Sequence, residues 1–330
     1  MGIIISGNEL SLDGRDKNST INFVSHAHSD HTSGVNKTKP ILSSDITLDI
    51  VSARKKIEVK KINHLEKTKL LPAGHILGSR QLYGESDYGF SFLYSGDFQM
   101  AEPILAEKIE THQTDILIID STYPSPEIVF DDKSDVADAL QHYVSSKLEK
   151  GIVLFGAYSL GKAQDIIKIL NETDIVPIVD KKISDINRIY NKYGANLSYS
   201  SIYEDEDEFN LSIKHNFVGI VESSHLKDIA SSLSTAHSKR VFTAVATGFA
   251  KMFRIGFDVQ FPLSDHADFP QAVEYIERCN PKLIYTFGPG SNPDIFARNL
   301  SKYGYNAHKF ISYAESLSSK ILLTAKKEKT

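Results

Sequence analysis

The chain carries the stretch Ser25-His26-Ala27-His28-Ser29-Asp30-His31 directly after a mainly apolar segment, residues 21–24. That segment predicts a short β-strand, so the histidine-rich stretch lies in the loop that leaves it. Imidazole nitrogens and carboxylate oxygens are the ligand atoms that a divalent ion such as zinc prefers. An extended loop can direct such closely spaced residues at two neighbouring points, whereas a helix brings together residues three or four apart. We therefore predict a metal site here, in preference to a surface loop that happens to be rich in histidine.

Two other loops carry residues of the same chemical type. His75 lies between two glycines in Ala73-Gly74-His75-Ile76-Leu77-Gly78-Ser79, and glycine permits the tight turns that present a side chain to a shared cavity. A lone histidine is most often structural, but with the first cluster His75 supplies a third imidazole for one ion. Asp97 follows the β-rich run 90–94, and its two carboxylate oxygens can touch two ions at once.

The alternation of predicted strands and helices in the middle of the chain indicates a mainly parallel α/β sheet. Helices are predicted over 134–149, 162–170 and 184–193, and strands over 152–155, 175–179, 217–221 and 241–246. Before this region, strands are predicted over 3–5, 10–12, 21–24 and 56–62, with a helix over 43–51. We interpret residues 123–245 as an insertion within a first domain that is built from both flanks, 1–122 and 246–330.

The pattern His26-x-His28-x-Asp30-His31 resembles the first metal motif of the metallo-β-lactamase superfamily. The heptad around His75 and the stretch Pro262-Leu263-Ser264-Asp265-His266-Ala267-Asp268-Phe269 resemble motifs of its nucleic-acid-processing β-CASP branch, and the resemblance spans nearly the whole chain. It implies an α/β fold, in which an αββα metallo-β-lactamase sandwich carries an inserted α/β β-CASP domain.

The resemblance also implies roles for individual residues. One zinc ion would be held by His26, His28, His75 and Asp97, and a second by Asp30, His31 and the shared Asp97. His266 would be the general acid that protonates the leaving oxygen. Asp120 would hold the His266 ring and favour its protonated form. It lies at the end of the apolar run Ile116-Leu117-Ile118-Ile119. The catalytic candidates are therefore Asp30, Asp120 and His266. The alternative for Asp120 is a cap at the end of a strand.

One position departs from the family pattern. Many β-CASP nucleases have a further histidine that completes the second metal site, and the matching stretch here reads Ile284-Tyr285-Thr286-Phe287-Gly288-Pro289. Phe287 stands where that histidine is expected. We therefore expect at most two zinc ions, the second of them weakly bound.

Lys162 belongs to a stretch that nearly spells a phosphate-binding P-loop, Gly156 to Ala163, but Ala163 replaces the hydroxyl that would hold Mg²⁺. The same stretch resembles the β-CASP pattern Gly-Lys/Arg-Ala-Gln, which makes a nucleotide triphosphatase the weaker interpretation. Lys162 and the free N–H groups of a helix start could bind a substrate phosphate. The alternative is a plain strand-to-helix turn.

Bulk properties narrow the function classes. The net charge of −5 counts against a passive nucleic-acid binder, but less against an enzyme whose metal ions supply local positive charge. The single cysteine, Cys279, fits a reducing compartment, and no apolar run is long enough for a transmembrane helix. We expect a cytoplasmic protein that does not act on membranes.

The resemblance implies a zinc-dependent nuclease acting on RNA or single-stranded DNA, as an exonuclease or an RNA 3′-end processing enzyme. The sequence around His266 resembles that of archaeal mRNA 3′-end processing factors and of bacterial exonucleases associated with DNA ligase. Two alternatives stay open. One is a catalytically weakened nucleic-acid-binding protein of the same fold, and the other is a small-molecule metallo-hydrolase.

Overall fold

The computed structural model describes residues 2–5, 7–14, 18–201, 203, 205–254 and 256–310. In these residues the chain folds into three β-sheets with helices packed on them, a mixed α/β architecture that confirms the predicted fold class at this level. The predicted last segment, 246–330, extends into residues 311–330, which lie outside the described residues.

The first sheet holds the N-terminal strands in chain order, antiparallel between the first two and parallel thereafter. Its strands are β1 Gly2–Ile5, β2 Asn8–Leu12, β3 Ile21–Phe23, β4 Ile41–Leu42 and β5 Lys61–Ile62. Helix α1, Asp45–Lys55, begins at Ser44, whose hydroxyl accepts a hydrogen bond from the Thr47 N–H. The strand predicted over 56–62 is wrong except for its last two residues, because its partner β4 offers only two residues for pairing.

The second sheet starts with β6 Thr68–Pro72, β7 Arg80–Glu85, β8 Ser91–Tyr94 and β9 Ile116–Asp120. Strand β9 is buried on both faces, which explains its unbroken apolar run. Ile116 and Ile118 pack in a core shared with the first sheet, whereas Leu117 and Ile119 belong to a separate core on the opposite face. This two-sided burial fixes the position of Asp120, the last residue of the strand.

The third sheet is entirely parallel, with its strands in the order β11-β12-β10-β13-β14. The strands are β10 Ile152–Ala157, β11 Ile178–Val179, β12 Val218–Glu222, β13 Val241–Ala246 and β14 Val259–Phe261. The helices of this region are α2 Lys133–Leu148, α3 Lys162–Asn171, α4 Lys181–Lys192, α5 Glu206–Ser212 and α6 Leu226–His237. The last strand lies after residue 245, so the sheet continues past the predicted end of the insertion.

The chain then returns to the second sheet. Strand β15 Leu283–Phe287 pairs in parallel with β9, and β16 Ala307–Lys309 pairs in parallel with β15. Helices α7 Phe269–Cys279 and α8 Asn292–Lys302 cover the face that carries Leu117 and Ile119. Helix α7 begins at Asp268, whose carboxylate accepts a hydrogen bond from the Gln271 N–H. None of the helices in the described part of the chain combines the length and the apolar character needed to cross a lipid bilayer.

Candidate metal centre

A cleft of about 1140 Å³ is lined by loops that follow strands of all three sheets. The loop after β3 brings the first histidine cluster, and the loops after β6 and β8 bring His75 and Asp97. The end of β9 supplies Asp120, and the segment after β14 supplies His266. The predicted residues that line the cleft are His28, Asp30, His31, His75, Asp97, Asp120, Lys162, His266 and Phe287. His26 is fully buried and contacts this set through His28.

Four of these side chains converge on one point. His26 Nε2 lies 2.9 Å from His28 Nδ1, which lies 3.2 Å from His75 Nε2. Asp97 Oδ2 is 3.5 Å from His26 Nε2 and 3.8 Å from His75 Nε2. In a tetrahedral zinc site with bonds of about 2.0–2.1 Å, the ligand atoms are roughly 3.3 Å apart. The four donor atoms therefore match the spacing of one tetrahedral site.

The outer nitrogens of two of these histidines contact backbone carbonyls. His75 Nδ1 donates to the Asp265 carbonyl oxygen at 2.7 Å, and His28 Nε2 donates to the Leu160 carbonyl oxygen at 3.2 Å. Because a carbonyl oxygen only accepts, these nitrogens carry the protons, and the inner nitrogens, His75 Nε2 and His28 Nδ1, hold lone pairs. Two lone pairs that face each other at 3.2 Å repel, and a cation between them removes this repulsion. The tautomers therefore fit a bound metal ion.

The protonation states of the four groups agree with this role. Burial lowers the pKa of His26, His28 and His75, so these imidazoles are neutral, which is the form that binds a metal ion. Burial alone would raise the pKa of Asp97, but the charge of His31 outweighs it and holds this pKa well below its usual range. Asp97 is therefore a buried carboxylate anion among neutral imidazoles.

The two oxygens of Asp97 face different histidines. Oδ2 faces the four-residue set, whereas Oδ1 lies 3.3 Å from His31 Nε2. His31 Nε2 is also 3.6 Å from Asp30 Oδ2, and the Asp30 side chain is 77% exposed. Asp97 thus connects a buried group of candidate ligands to a second candidate group that opens to solvent, the arrangement that a ligand shared by two ions requires.

Asp13 is a residue of this site that the sequence does not reveal, because an Asp-Gly pair between two strands is typical of a turn. Its Oδ2 accepts hydrogen bonds from His31 Nδ1 at 2.8 Å and from the Tyr94 hydroxyl at 2.9 Å, and its Oδ1 accepts from the Ser25 N–H at 2.7 Å. Burial disfavours the His31 imidazolium, but Asp97 and Asp13 outweigh it and raise the pKa of His31. Asp13 also directs His31 Nε2 towards Asp97.

His266 and Asp120 form a hydrogen-bonded pair in the same cleft. His266 Nδ1 donates to Asp120 Oδ2 at 3.0 Å, so its Nε2 is the nitrogen left to face the cleft, 3.9 Å from Asp97 Oδ2. Burial opposes the charged form of His266, but Asp97 and then Asp120 overcome it and raise the pKa of His266 to about 9. The side chain is therefore a cation at neutral pH, with a proton to give from Nε2.

The same pair has a second possible use. Asp97, Asp120 and His266 each offer a ligand atom, and these atoms lie within 4.8 Å of one another. His266 is thus chemically suited to two roles, a proton donor held by Asp120 or a third ligand of an ion beside Asp97. Loss of metal from a His266 variant would identify the second role.

The side chain of Lys162 is buried and forms an ion pair within the protein. Its ammonium group lies 2.6 Å from Asp265 Oδ1 and the residue is 4% exposed, so a substrate phosphate would have to compete with that carboxylate. The Gly161 N–H at the start of α3 donates to Gln164 Oε1 at 2.7 Å, so this N–H is also occupied. A phosphate contact by Lys162 stays a prediction.

Phe287, in the place expected of a histidine, ends β15 in register with Asp120. It lines the cleft and packs on Tyr94, with ring centroids 4.9 Å apart. The predicted consequence, a second ion that is short of one ligand, stays a prediction.

Gly74 explains how the loop after β6 turns to present His75. Its φ is +76°, in the left-handed region that favours glycine, and an added Cβ would lie 2.2 Å from the Gln99 carbonyl oxygen. The sequence therefore needs glycine at this position for two independent reasons.

Comparison with known proteins identifies several relatives of this chain. The chain is 29% identical over 299 residues to a probable DNA ligase of Opitutus terrae, covering 86% of this chain and 28% of that one. It is 29% identical over 180 residues to an RNase J-like protein of Methanocaldococcus jannaschii, covering 45% of this chain and 42% of that one. It is 28% identical over 189 residues to the 5′ exonuclease Apollo of Gallus gallus, covering 52% and 41%. The chain thus spans less than half the length of each of these relatives.

A solved structure shares the fold. The crystal structure of a protein of unknown function from Enterococcus faecalis matches 90% of this chain and 81% of its own, with a TM-score of 0.60 at 13% identity. No protein-family model matches the sequence. The fold, the cluster of imidazoles and carboxylates, and the relatives are consistent with the β-CASP branch of the metallo-β-lactamase superfamily, which confirms the predicted resemblance.

The position of Asp13 generates a prediction about metal affinity. Asp13→Asn keeps a residue that tolerates the left-handed backbone at this site, where φ is 47°. It removes the negative charge, and its amide N–H₂ group would face either the Ser25 N–H or the N–H of His31 Nδ1, neither of which can accept a hydrogen bond. We expect affinity for the more weakly bound zinc to fall by about 10- to 100-fold, the usual effect of losing such a partner, with the tightly bound zinc retained.

Titration of metal-free protein with Zn²⁺ by calorimetry measures both affinities. Asp174→Asn is the matched control, because Asp174 is exposed and also left-handed, with φ of 58°. Unchanged binding of both ions to Asp13→Asn would show that Asp13 does not support the metal centre.

Proposed function

We propose that this protein is a zinc-dependent nuclease that hydrolyses phosphodiester bonds in RNA or single-stranded DNA, as an exonuclease or an RNA 3′-end processing enzyme. The observation that carries the proposal is that two sets of side chains lie next to each other in one cleft. Three neutral imidazoles and Asp97 form a closed ligand set, and the cationic His266 lies directly beside Asp97. Relatives named as nucleases support the reaction class.

The proposed architecture is an αββα metallo-β-lactamase sandwich with an inserted β-CASP domain. The first two sheets share one core, and α7 and α8 cover the outer face of the second sheet, which supports this reading. The proposed division is 1–122 and 246–330 for the sandwich and 123–245 for the insertion. The third sheet would be the insertion's sheet, with β14 as the strand that leads back to the sandwich.

The proposed ligands of the first zinc ion are His26, His28, His75 and Asp97. The second ion would be held by Asp30, His31 and the same Asp97, with Asp13 orienting His31. When bound, zinc polarises the phosphate and brings the pKa of a coordinated water to about 7. The exposure of Asp30 leaves this side of the site open to substrate.

The side chains of the cleft complete the proposed reaction. The oxygen of water forms a bond to phosphorus while the bond between phosphorus and the leaving oxygen breaks. Asp30 accepts a proton from the attacking water at its carboxylate. His266 gives its Nε2 proton to the leaving oxygen, and Asp120 holds the ring through Nδ1 and stabilises its charged form before transfer. An unprotonated alkoxide is a poor leaving group, so this protonation lowers the barrier to cleavage.

One alternative has a specific observation in its favour. Phe287 lines the cleft, and the family pattern expects at its position a histidine that would complete the second metal set, which favours a nucleic-acid-binding protein of the same fold with weakened catalysis. Cleavage of end-labelled RNA and DNA strands with added Zn²⁺ or Mn²⁺ separates the two. Product formation supports the nuclease, and binding without product supports the alternative. A small-molecule hydrolase would bind neither strand.

The role of His266 is tested by His266→Ala. We expect this variant to keep its zinc but to cleave about 10²–10⁴-fold more slowly, the usual range for general acid catalysis. Wild-type activity should fall at alkaline pH, as His266 loses its proton, and this decline should be absent from the variant. The defect should shrink on a phosphorothiolate substrate, whose leaving sulfur needs little protonation.

His64→Ala is the control for these rates, because His64 is exposed and lies outside the cleft. Zinc content is measured in parallel by elemental analysis. A His266→Ala protein that loses zinc would show that His266 is a ligand, and the general-acid role would be wrong.

The role of Phe287 is tested by a metal titration of the cleavage rate. We expect wild-type activity to depend on added Zn²⁺ or Mn²⁺, because the second ion has three protein ligands and shares one of them. Phe287→His should lower the metal concentration needed for half-maximal rate. Phe287→Leu removes the ring without adding a ligand and should not lower it. A wild-type protein that holds two tightly bound ions and ignores added metal would contradict the proposed deficiency.

A further inference from the structure

Two aromatic side chains reach the cleft from neighbouring strands of the third sheet. Strands β10 and β13 are adjacent and parallel, with Gly156 opposite Val245. Tyr158 lies directly after β10, and Phe249 lies in the turn that follows β13. The carboxyl ends of parallel strands meet at one edge of a sheet, which is where such sheets bind ligands. Both rings therefore belong to the same wall of the cleft.

Both rings are exposed to solvent. The exposed fraction is 63% for Tyr158 and 41% for Phe249, whereas Tyr123, which lines the same wall, is buried. Scattered exposed aromatic residues are normal on a protein surface. Two exposed rings on one wall of a cleft that holds a candidate metal centre are a flat apolar surface turned towards the substrate.

Ring contacts connect Phe249 to His266, the proposed general acid. The ring centroid of Phe249 lies 5.9 Å from that of Tyr123, and the Tyr123 centroid lies 6.1 Å from that of His266. A group that packs on Phe249 is thus two ring contacts away from His266. In a nucleic acid strand, that group would belong to a nucleotide close to the scissile phosphate.

The charges of the cleft favour recognition of bases over recognition of backbone phosphates. Arg54 and Lys309 line the cleft, but Arg54 Nη1 donates to the Ala27 carbonyl oxygen at 2.6 Å and Lys309 Nζ lies 3.1 Å from Asp294. With Lys162 held by Asp265, three cations of this cleft already have partners. Two of these cations, Lys162 and Lys309, are thus already paired with carboxylates, so a strand would gain less from phosphate contacts here, in keeping with the net charge of −5.

We infer that Tyr158 and Phe249 form a stacking site for nucleobases near the scissile phosphate. Every base has a flat π-face, so such a site accepts any sequence and both RNA and DNA, provided that the bases are unpaired. This inference rests on the proposed nuclease function and adds the residues that would hold the strand.

Fluorescence anisotropy with labelled single strands tests the stacking site. The protein is zinc-loaded His266→Ala, chosen to slow cleavage, and the strands are RNA and DNA oligonucleotides with normal or abasic residues. We expect Tyr158→Ala and Phe249→Ala each to raise Kd for base-bearing strands by about 5- to 150-fold, the usual effect of losing one stacked base. Kd for abasic strands should not change. Tyr158→Phe should restore binding, because stacking needs the ring and not the hydroxyl.

Tyr88→Ala is the matched control, because Tyr88 is 55% exposed but does not line the cleft. If the two alanine variants bind base-bearing strands as tightly as their parent does, while the wild-type protein cleaves them, the stacking site is wrong and the nuclease proposal stands. Equal weakening on abasic strands would likewise exclude stacking. A wild-type protein that neither binds nor cleaves any strand would overturn both proposals.

Discussion

The buried carboxylate of Asp97 is the group on which the rest of the cleft depends. A buried anion is costly unless charged or hydrogen-bonding groups surround it. Here one oxygen faces the imidazoles of His26 and His75 and the other faces His31. The lone pairs of His28 and His75 face each other in the same space, because their outer nitrogens donate to backbone carbonyls. A cation is the group that satisfies the anion and the lone pairs together.

The sheets explain how this cluster is held. Loops after β3, β6 and β8 bring its members from the first two sheets. The carbonyl oxygens that fix two of the imidazoles come from elsewhere, Leu160 following β10 and Asp265 following β14. Asp265 is itself held by Lys162 at the start of α3. Loops that follow strands of the third sheet thus orient two of the proposed metal ligands and line one wall of the cleft.

Much of the site could be predicted from sequence, because its residues lie in short motifs with recognisable ligand chemistry. The four-residue set around Asp97 and the pair His266–Asp120 come together as expected, although their roles stay proposals. Asp13 was missed because its partner His31 is eighteen residues away and Asp-Gly reads first as a turn. The carbonyls of Leu160 and Asp265 could not be predicted, since a backbone oxygen has no sequence signature. The short strands β5 and β11 were predicted too long, because only two residues of each pair with the neighbouring strand.

Anomalous diffraction at the zinc edge, from crystals of protein purified without chelator, tests the central claim most directly. The account predicts a strong peak between His26 Nε2, His28 Nδ1, His75 Nε2 and Asp97 Oδ2. A second, weaker peak is expected between Asp97 Oδ1 and His31 Nε2, rising in crystals soaked in Zn²⁺. A protein without any peak at the four-residue set, or with its main peak between Asp97, Asp120 and His266, would contradict the account.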